Sequence, residues 1–385
     1  MILLKMIVRN ALRRPLRTAL TVAAVAVAIL AFTLLRALLA AWYSAVDASS
    51  ASRLVARNAV SIMFPLPISY ADRMRHVEGV ARVSYGSWFG GIYVSEKNFF
   101  ANFAVDAQSY LDLYPELVLP AKEKADFLRD RRGFVAGRKL VERFGWHIGD
   151  IVTLKGTLYP GEWDFVLRGV YEGKTRTVDE TQFFFHWQYL NERLKDSFPS
   201  MADTVGFFMI GVKDPQSAAA VARSIDSAFK NSRAETLTES ERAFVLSFIS
   251  MSEAIVKIVK VVSLVVIAII MVVVANTMAM TTRERTGEYA VLKTLGFSWL
   301  SIVMVIAGES WFISAAGCLT GVIAAFPAVG FLTTKLSAYF PVFFIDAETV
   351  ALDVVVAFLV GTVSMVIPSW QTCCIRVADA LKKVG

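Results

Sequence analysis

The chain has 385 residues, of which 56% are hydrophobic and 19% are charged, and its net charge is +7. Soluble domains are about 45–50% apolar and about 25% charged, so this composition excludes an ordinary soluble protein. The positive charge does not indicate nucleic-acid binding, because residues 43–254 carry 25 Lys and Arg against 26 Asp and Glu. The surplus lies in the remaining segments, which are the most apolar part of the chain.

The first 17 residues carry a regular basic pattern. Lys5, Arg9, Arg13 and Arg17 recur every four residues, so on a helix they share one face. This spacing predicts an amphipathic basic helix over residues 1–17 that lies on an anionic membrane surface. A simple cluster of topology-setting charges is the compatible alternative.

Four long apolar segments follow, at residues 18–41, 255–281, 301–332 and 349–372. Each exceeds the roughly 20 helical residues that cross a hydrocarbon core of about 30 Å. The predicted fold class is therefore a membrane α-helical protein with four transmembrane helices. A large α+β extracytoplasmic domain, residues 42–254, is inserted between the first and second spans. Arg36 lies near the external end of the first span, where it can reach the interface.

The distribution of Lys and Arg predicts the orientation. These residues cluster before the first span, between the second and third spans and after the fourth, whereas the loop at 333–348 has only Lys335. The positive-inside rule places both termini, the loop at 282–300 and the tail at 373–385 in the cytoplasm. We expect a multi-pass protein of the bacterial inner membrane.

Strand and helix patterns alternate in the external domain. Strands are predicted at Val80–Tyr85 and Gly91–Val94, and a helix at Val135–Phe144, which Gly145 would stop. A hairpin is predicted from Ile151–Lys155 and Asp164–Tyr171.

The second half of this domain continues the alternation. The pattern predicts a helix at Leu117–Arg132 and a strand at Val205–Val212. Asp214 followed by Pro215 predicts the start of another helix. No Pro or Gly occurs from Glu241 to Met280, which predicts one long helix into the second span.

Polar residues within the spans are few. Glu309 lies on the order of 10 Å inside the third span and is an intramembrane functional candidate, although pairing within the bundle explains it equally well. Gly317 and Gly321 form a small-residue pair that permits close helix packing. Asp353 lies near the external end of the fourth span, and Pro368 should kink or end it.

No motif of an enzyme is present. The sequence contains no nucleotide-binding P-loop, no H-E-x-x-H and no G-x-S-x-G. The three histidines, His76, His147 and His186, lack metal-ligand spacing. We therefore expect no catalytic residue, no metal site and no cofactor bound by this chain.

The loop between the second and third spans is the most informative segment. Arg283–Leu295 reads as a helix with Tyr289, Leu292 and Leu295 at three-residue spacing, and Gly296 follows as a left-handed C-cap. A short amphipathic helix between two spans favours a protein partner. A helix lying on the bilayer is the alternative.

This loop resembles the signature of the FtsX/MacB/LolC-type ABC transporter permeases. The matching positions are Arg283, Glu284, Arg285, Glu288, Val291, Leu292, Lys293, Leu295, Gly296 and the early Glu309 of the next span. Tyr289 and Ala290 stand where Ile and Gly are more usual. The order of one span, a domain of about 200 residues and three further spans also resembles the family, most closely its macrolide-exporter and lipoprotein-release branches.

The resemblance implies a MacB-like core domain, with a porter-like part at 42–118 and 200–254 and a small β-rich subdomain at 119–199. It also implies coupling to a separate cytoplasmic ATPase in two copies, which would hold ATP and Mg. The coupling residues would be Arg283, Glu284, Arg285, Glu288, Tyr289, Leu292, Lys293 and Gly296. Further implied partners are a second permease chain, as a homodimer, membrane lipid and a periplasmic adaptor or outer-membrane protein.

Three functions are therefore open at this point. The first is the permease subunit of an ABC transporter for export or extraction of a hydrophobic, lipid-like or lipoprotein substrate. The second is a permease-like regulator that activates a periplasmic enzyme by mechanotransmission and moves nothing. The third is a membrane-anchored enzyme with its site in residues 43–254.

Overall fold

The computed structural model describes residues 7, 9, 13–251, 253–336 and 342–373. Most of the predicted helix at 1–17, most of the tail at 373–385 and the centre of the loop at 333–348 lie outside these residues. The chain forms two compact units. The membrane unit comprises the described parts of Met1–Ala40, Glu253–Thr334 and Phe343–Gly385, and the globular unit comprises those of Ala41–Ser252 and Lys335–Val342.

Thirteen α-helices occur in the described residues. They are α1 (Pro15–Ala48), α2 (Tyr70–Arg75), α3 (Ala107–Leu113), α4 (Ala121–Arg129), α5 (Arg138–Phe144), α6 (Trp187–Ser197), α7 (Ala218–Phe229), α8 (Glu241–Met251), α9 (Glu253–Glu284), α10 (Thr286–Thr294), α11 (Trp299–Leu336), α12 (Ala347–Ser364) and α13 (Val366–Cys373). Two short 3₁₀ helices lie at Pro199–Met201 and Pro215–Ser217.

Thirteen strands occur in the same part of the chain. They are β1 (Arg53–Asn58), β2 (Leu66–Pro67), β3 (Val80–Trp88), β4 (Gly91–Ile92), β5 (Asn102–Val105), β6 (Leu117–Val118), β7 (Gly133–Gly137), β8 (Ile151–Gly156), β9 (Gly161–Gly173), β10 (Phe183–His186), β11 (Thr204–Val205), β12 (Phe207–Val212) and β13 (Thr236–Ser240).

Four helical stretches are long and apolar enough to cross a membrane: Pro15–Ala48, Glu253–Glu284, Trp299–Thr333 and Ala347–Thr372. The last combines α12 and α13, which meet just before Pro368. Their number and their order around the globular unit confirm the predicted fold class.

The core of the membrane unit is built from one stripe of each long helix. Ile29 of α1, Val274 of α9, Ile306 of α11 and Val360 of α12 are all buried in one cluster. Most other apolar side chains of these helices point outward, for example Leu264 of α9. An apolar outer surface around a small apolar core is what a bilayer requires.

The globular unit is built on one large sheet with the strand order β13-β1-β12-β3-β5-β10-β7-β9-β8-β4. Strand β6 pairs with β9, and β2 and β11 form a separate pair. Most neighbours are antiparallel, but β5 with β10 and β7 with β9 are parallel. The pairing of β5 with β10 joins strands of the predicted porter-like part and of the predicted β-rich subdomain in one sheet.

The sheet carries a hydrophobic cluster on each face. Phe183 and Phe185 of β10 belong to one cluster, which α2, α5, α6 and α7 help to form. Phe184, between them, belongs to the other, together with residues of α3 and α4. Because successive strand residues point to opposite faces, the two clusters lie on opposite sides of the sheet.

Several local predictions are confirmed. The hairpin of β8 and β9 pairs Ile151 with Val166 and Leu154 with Trp163. Asp214 accepts a hydrogen bond from the backbone N–H of Gln216, as an N-cap should. Gly145 ends α5 with a positive φ of 67°.

Two predicted helices were partly wrong. Val135–Gly137 lies in β7, and the helix begins only at Arg138. All five residues of β7 are buried, so the strand shows no alternation and its apolar run merged with the helix that follows. Leu117–Arg132 contains the short strand β6 as well as α4, and Pro120 separates them.

Candidate functional site

The predicted helix Arg283–Leu295 is divided between two helices, the end of α9 and α10. Helix α9 ends at Glu284, Arg285 is not helical, and α10 begins at Thr286, so the predicted continuous helix Arg283–Leu295 was wrong at Arg285. The far end of α10 is as predicted, because Gly296 has a φ of 88°. The N–H of Phe297 donates to the carbonyl of Leu292, and that of Gly296 to the carbonyl of Lys293, which is a Schellman C-cap.

A buried ion pair lies at the break. The guanidinium of Arg285 donates to Glu309 of α11 at 3.1 Å, and the two side chains are only 9% and 5% exposed. Arg285 had been predicted to contact a partner at the surface, and Glu309 had been left open between a functional and a pairing role. The structure points both residues inward and joins α10 to α11 through them.

Tyr289 belongs to the same buried group. Its side chain is buried although it had been predicted at a partner contact. Burial, together with the nearby carboxylate of Glu309, raises the pKa of Tyr289 to about 12. Tyr289 and Arg285 therefore fix the position of α10 on the membrane unit, and other residues form its outer surface.

Basic residues just before α1 and in its first turn contact the acidic residues of this segment. Arg17 makes two hydrogen bonds to the carboxylate of Glu284, at 2.7 and 2.8 Å, and Arg14 lies 2.6 Å from it. Arg13 pairs with Glu288. Because these pairs are exposed to solvent, they contribute little to stability. Sequence reasoning assigned these arginines to the membrane surface and missed the contact, although the opposite charges were predicted on the same side.

The outer surface of the segment combines charge with apolar side chains. Arg283, Glu284, Glu288 and Gly296 are exposed, and Leu292 and Lys293 are half-buried. Lys293 also donates to the backbone carbonyl of Thr372 in α13. Large apolar side chains are exposed after α10 and in the first turn of α11, and we call these the apolar edge: Leu295, Phe297, Trp299 and Leu300.

The predicted small-residue pair lies at a close helix contact. A Cβ atom on Gly317 would lie 2.5 Å from the Cβ of Val25, and one on Gly321 would lie 2.7 Å from the carbonyl oxygen of Ala26. Both glycines therefore allow α11 to approach α1 more closely than any other residue would.

Asp353 of α12 is fully buried and accepts a hydrogen bond from the hydroxyl of Thr33 in α1 at 2.9 Å. Arg36, one turn further along α1, lies 3.5 Å from the exposed Glu348. This contact agrees with a side chain that reaches towards the membrane interface. Within the described residues, no group of three or more His, Cys, Asp or Glu could hold a metal ion.

The fold and this segment define a class of protein. The chain is a membrane protein with four apolar helices, a large mixed α/β unit between the first and second helices, and a short capped helix between the second and third.

The family follows from two sequence models. The MacB-like periplasmic core domain matches residues 18–228, and the FtsX-like permease C-terminal model matches residues 260–373. The chain belongs to the FtsX/MacB-type family of ABC transporter permeases, so a partner ATPase is implied.

Two solved structures are similar to the globular part. The extracellular domain of the noncanonic ABC-type transporter YknZ from Gram-positive bacteria has 12% identity and a TM-score of 0.36, and the match covers 49% of this chain and 98% of that one. A domain from Porphyromonas gingivalis, described as that of a permease protein, has 12% identity and a TM-score of 0.33, with 49% and 90% covered. No curated protein matches the chain.

Proposed function

We propose that this chain is the transmembrane subunit of an ABC transporter and that it converts ATP hydrolysis by a separate ATPase into movement of its globular unit. The substrate would be hydrophobic, lipid-like or a lipoprotein. In this proposal the chain binds no nucleotide, and ATP and Mg belong to two copies of the partner.

One observation carries the proposal. Helix α10 is held from the inside by the pair of Arg285 and Glu309 and is closed at its end by Gly296. It therefore presents a fixed outer surface that carries the exposed Glu288 and is followed by the apolar edge. A rigid, exposed apolar surface rimmed by charge is typical of a protein contact.

The contacts of the membrane unit support a route for force. A push on α10 reaches α11 through Arg285, because the ion pair is buried and leaves little freedom between the two helices. From α11 the force would pass to α1, because Gly317 and Gly321 allow these two helices to pack in close contact. Helices α1 and α9 lead along the chain to the globular unit and would transmit the movement.

The proposed orientation puts α10 and both termini in the cytoplasm of a bacterial inner membrane and the globular unit outside. The Arg and Lys of residues 13–17 and 283–293 support this side for α10. Two copies of the chain would form the transporter, and a periplasmic adaptor remains part of the proposal.

The test is ATP hydrolysis by the co-purified complex of permease and ATPase. Leu295→Asp and Trp299→Asp place a charge in the apolar edge and should lower permease-dependent hydrolysis by about tenfold or more, the range of an interface hot spot. The matched control is Val60→Asp, because Val60 is 81% exposed but lies in the globular unit. The permease alone should not hydrolyse ATP.

Unchanged hydrolysis in both edge variants would contradict the coupling role of this surface. Hydrolysis by the purified permease would contradict the division between two subunits. If hydrolysis depends on the permease but no substrate is transported, the chain is instead a regulator that activates a periplasmic enzyme. A cell-wall hydrolase encoded beside the permease would support that function.

A further inference from the structure

The globular unit contains a cleft of about 770 Å³ over the face of the sheet that carries Phe184. Val55 of β1, Phe103 of β5 and Met209 of β12 contribute to its floor. Phe244 and Phe248 of α8 form one wall, and the tip of the β8–β9 hairpin forms another. A drug-sized ligand needs about 300–1,000 Å³, so the cleft is large enough to enclose one.

The lining of this cleft is apolar and rich in aromatic rings. Its aromatic residues are Trp88, Phe103, Tyr110, Tyr114, Tyr159, Phe207, Phe244 and Phe248. Three methionines, Met63, Met201 and Met209, add flexible apolar surface that adapts to ligands of varied shape. Among the described residues that line the cleft, Glu241 is the one charged side chain.

Glu241 is held in place by three donors. Its carboxylate accepts hydrogen bonds from the guanidinium of Arg53 at 2.7 Å, the N–H of Ser50 at 2.8 Å and the hydroxyl of Tyr114 at 2.9 Å. Arg53 also pairs with Glu116 at 2.6 Å. This group of two carboxylates and one guanidinium has a net negative charge, so it disfavours an anionic ligand beside it.

The mouth of the cleft is lined by large apolar side chains that water reaches. Met63, Trp88, Leu158 and Phe248 are all exposed and all line the cleft. Leu158 lies on the hairpin tip and Phe248 on α8, so different elements surround the opening. Concentrated exposed apolar surface around an apolar cleft marks a ligand site more often than a structural feature.

We propose that this cleft binds the hydrophobic chain of an amphiphile whose head group is uncharged or cationic. The chain lies over Phe103 and Met209, between α8 and the hairpin, and the head group lies towards Glu241. That this ligand is the transported substrate rests on the proposed function, whereas the binding itself does not.

The test is photolabelling of the full chain in lipid nanodiscs. The probes are three long-chain alkyl compounds with a photoactivatable diazirine on the chain, ending in an alcohol, a trimethylammonium or a carboxylate. Labelled peptides are mapped by mass spectrometry, and labelling of α9 and α11 reports the probe present in the bilayer. The alcohol and ammonium probes should label the cleft, and the carboxylate should label it about tenfold less, a difference of about 1.4 kcal/mol.

Two variants and one control test the location. Phe248→Asp and Leu158→Asp bring a carboxylate into the cleft from opposite walls and should reduce its labelling about tenfold or more, as expected for a charge in an apolar pocket. Phe198→Asp should leave labelling unchanged, because Phe198 is 39% exposed, similar to the 46% of Phe248, but lies outside the cleft. If Phe248→Asp does not fold, Leu158→Asp decides, since its side chain lies on an exposed hairpin tip.

The proposal is overturned if the cleft is labelled no more than the rest of the globular surface, if both variants label like the unchanged chain, or if the carboxylate probe labels as strongly as the other two. These outcomes are independent of the ATPase test. A complex whose hydrolysis depends on the apolar edge but whose cleft stays unlabelled would support the proposed function and refute this inference.

Discussion

At the scale of single residues, the pair of Arg285 and Glu309 shows how a sequence signature divides between the inside and the outside of a site. Arg285 and Tyr289 lie in the middle of the signature and are buried, whereas Glu288 between them is exposed. On a helix, positions three or four apart share a face, so a signature of this length contributes to both packing and surface. The inward residues hold the helix, and the outward ones remain available for a partner.

Glu309→Ala should destabilise the membrane unit by about 3–5 kcal/mol, because it removes the buried carboxylate that pairs with the Arg285 guanidinium. The double variant Arg285→Met with Glu309→Met should recover most of that loss, since both charges are removed together. Denaturant unfolding of the purified chain in detergent measures both. If the double variant were no more stable than Glu309→Ala, an unbalanced buried charge would not be the cause of the lost stability.

Glu241 is a buried carboxylate of the globular unit, as Glu309 is of the membrane unit. It connects the beginning of α8 to Ser50 and to Arg53 at the beginning of β1. Glu241→Ala should cost about 1–3 kcal/mol, because the N–H of Ser50 and the hydroxyl of Tyr114 lose their acceptor, while Arg53 keeps its pair with Glu116. Glu192→Ala is the control and should cost about 0–1 kcal/mol, since its pair with Arg131 is exposed. The same unfolding experiment, followed by fluorescence of the globular unit, compares them. Equal losses of stability in the two variants would show that the buried contacts of Glu241 contribute no more than an exposed ion pair.

At the scale of elements, the contact of α11 with α1 depends on small residues at two positions one helical turn apart. Gly317 and Gly321 leave no room for a Cβ, whereas Gly330 in the same helix has no neighbouring atom within 4 Å of one. The three glycines therefore offer a comparison within one helix.

Gly321→Ala should lower the stability of the membrane unit by about 1–3 kcal/mol, because the new methyl group meets the backbone of α1 and the helices must separate. Gly330→Ala should be neutral or stabilise the helix by up to about 1 kcal/mol, since alanine has the better helix propensity and meets no neighbour. Thermal unfolding in detergent distinguishes the two. A loss of stability in Gly330→Ala as large as that in Gly321→Ala would contradict a packing role specific to Gly321.

At the scale of the whole molecule, the proposed function requires α10 and the globular unit to lie on opposite sides of the membrane. Four membrane-crossing helices have this consequence, because one span separates the N-terminus from the globular unit and a second separates that unit from α10. The arrangement can be tested without any knowledge of the substrate.

In a chain whose own cysteines are replaced by alanine, we expect Val60→Cys to react with a membrane-impermeant maleimide added to spheroplasts. Leu295→Cys should react only after the membrane is permeabilised. Both positions are highly exposed, so differences in reactivity report the side of the membrane. Labelling of both positions from outside would contradict the topology and, with it, the proposed direction of force transmission.

The sequence by itself determined the features that depend on local pattern. Uninterrupted apolar runs specify the four spans, alternation specifies the hairpin of β8 and β9, and Gly296 specifies the left-handed end of α10, because each depends on residues a few positions apart. The signature also identified the segment that contacts a partner in the proposed function.

Only the tertiary structure decided which residues of that segment face inward. The partners of Arg285, Glu241 and Gly321 lie 24 or more positions away in the chain, and no local period encodes such a distance. The same holds for β7, whose burial on both faces removes the alternation that would have identified it as a strand. Long-range contacts are made by the fold as a whole, so they follow from the packed structure and not from any single stretch of sequence.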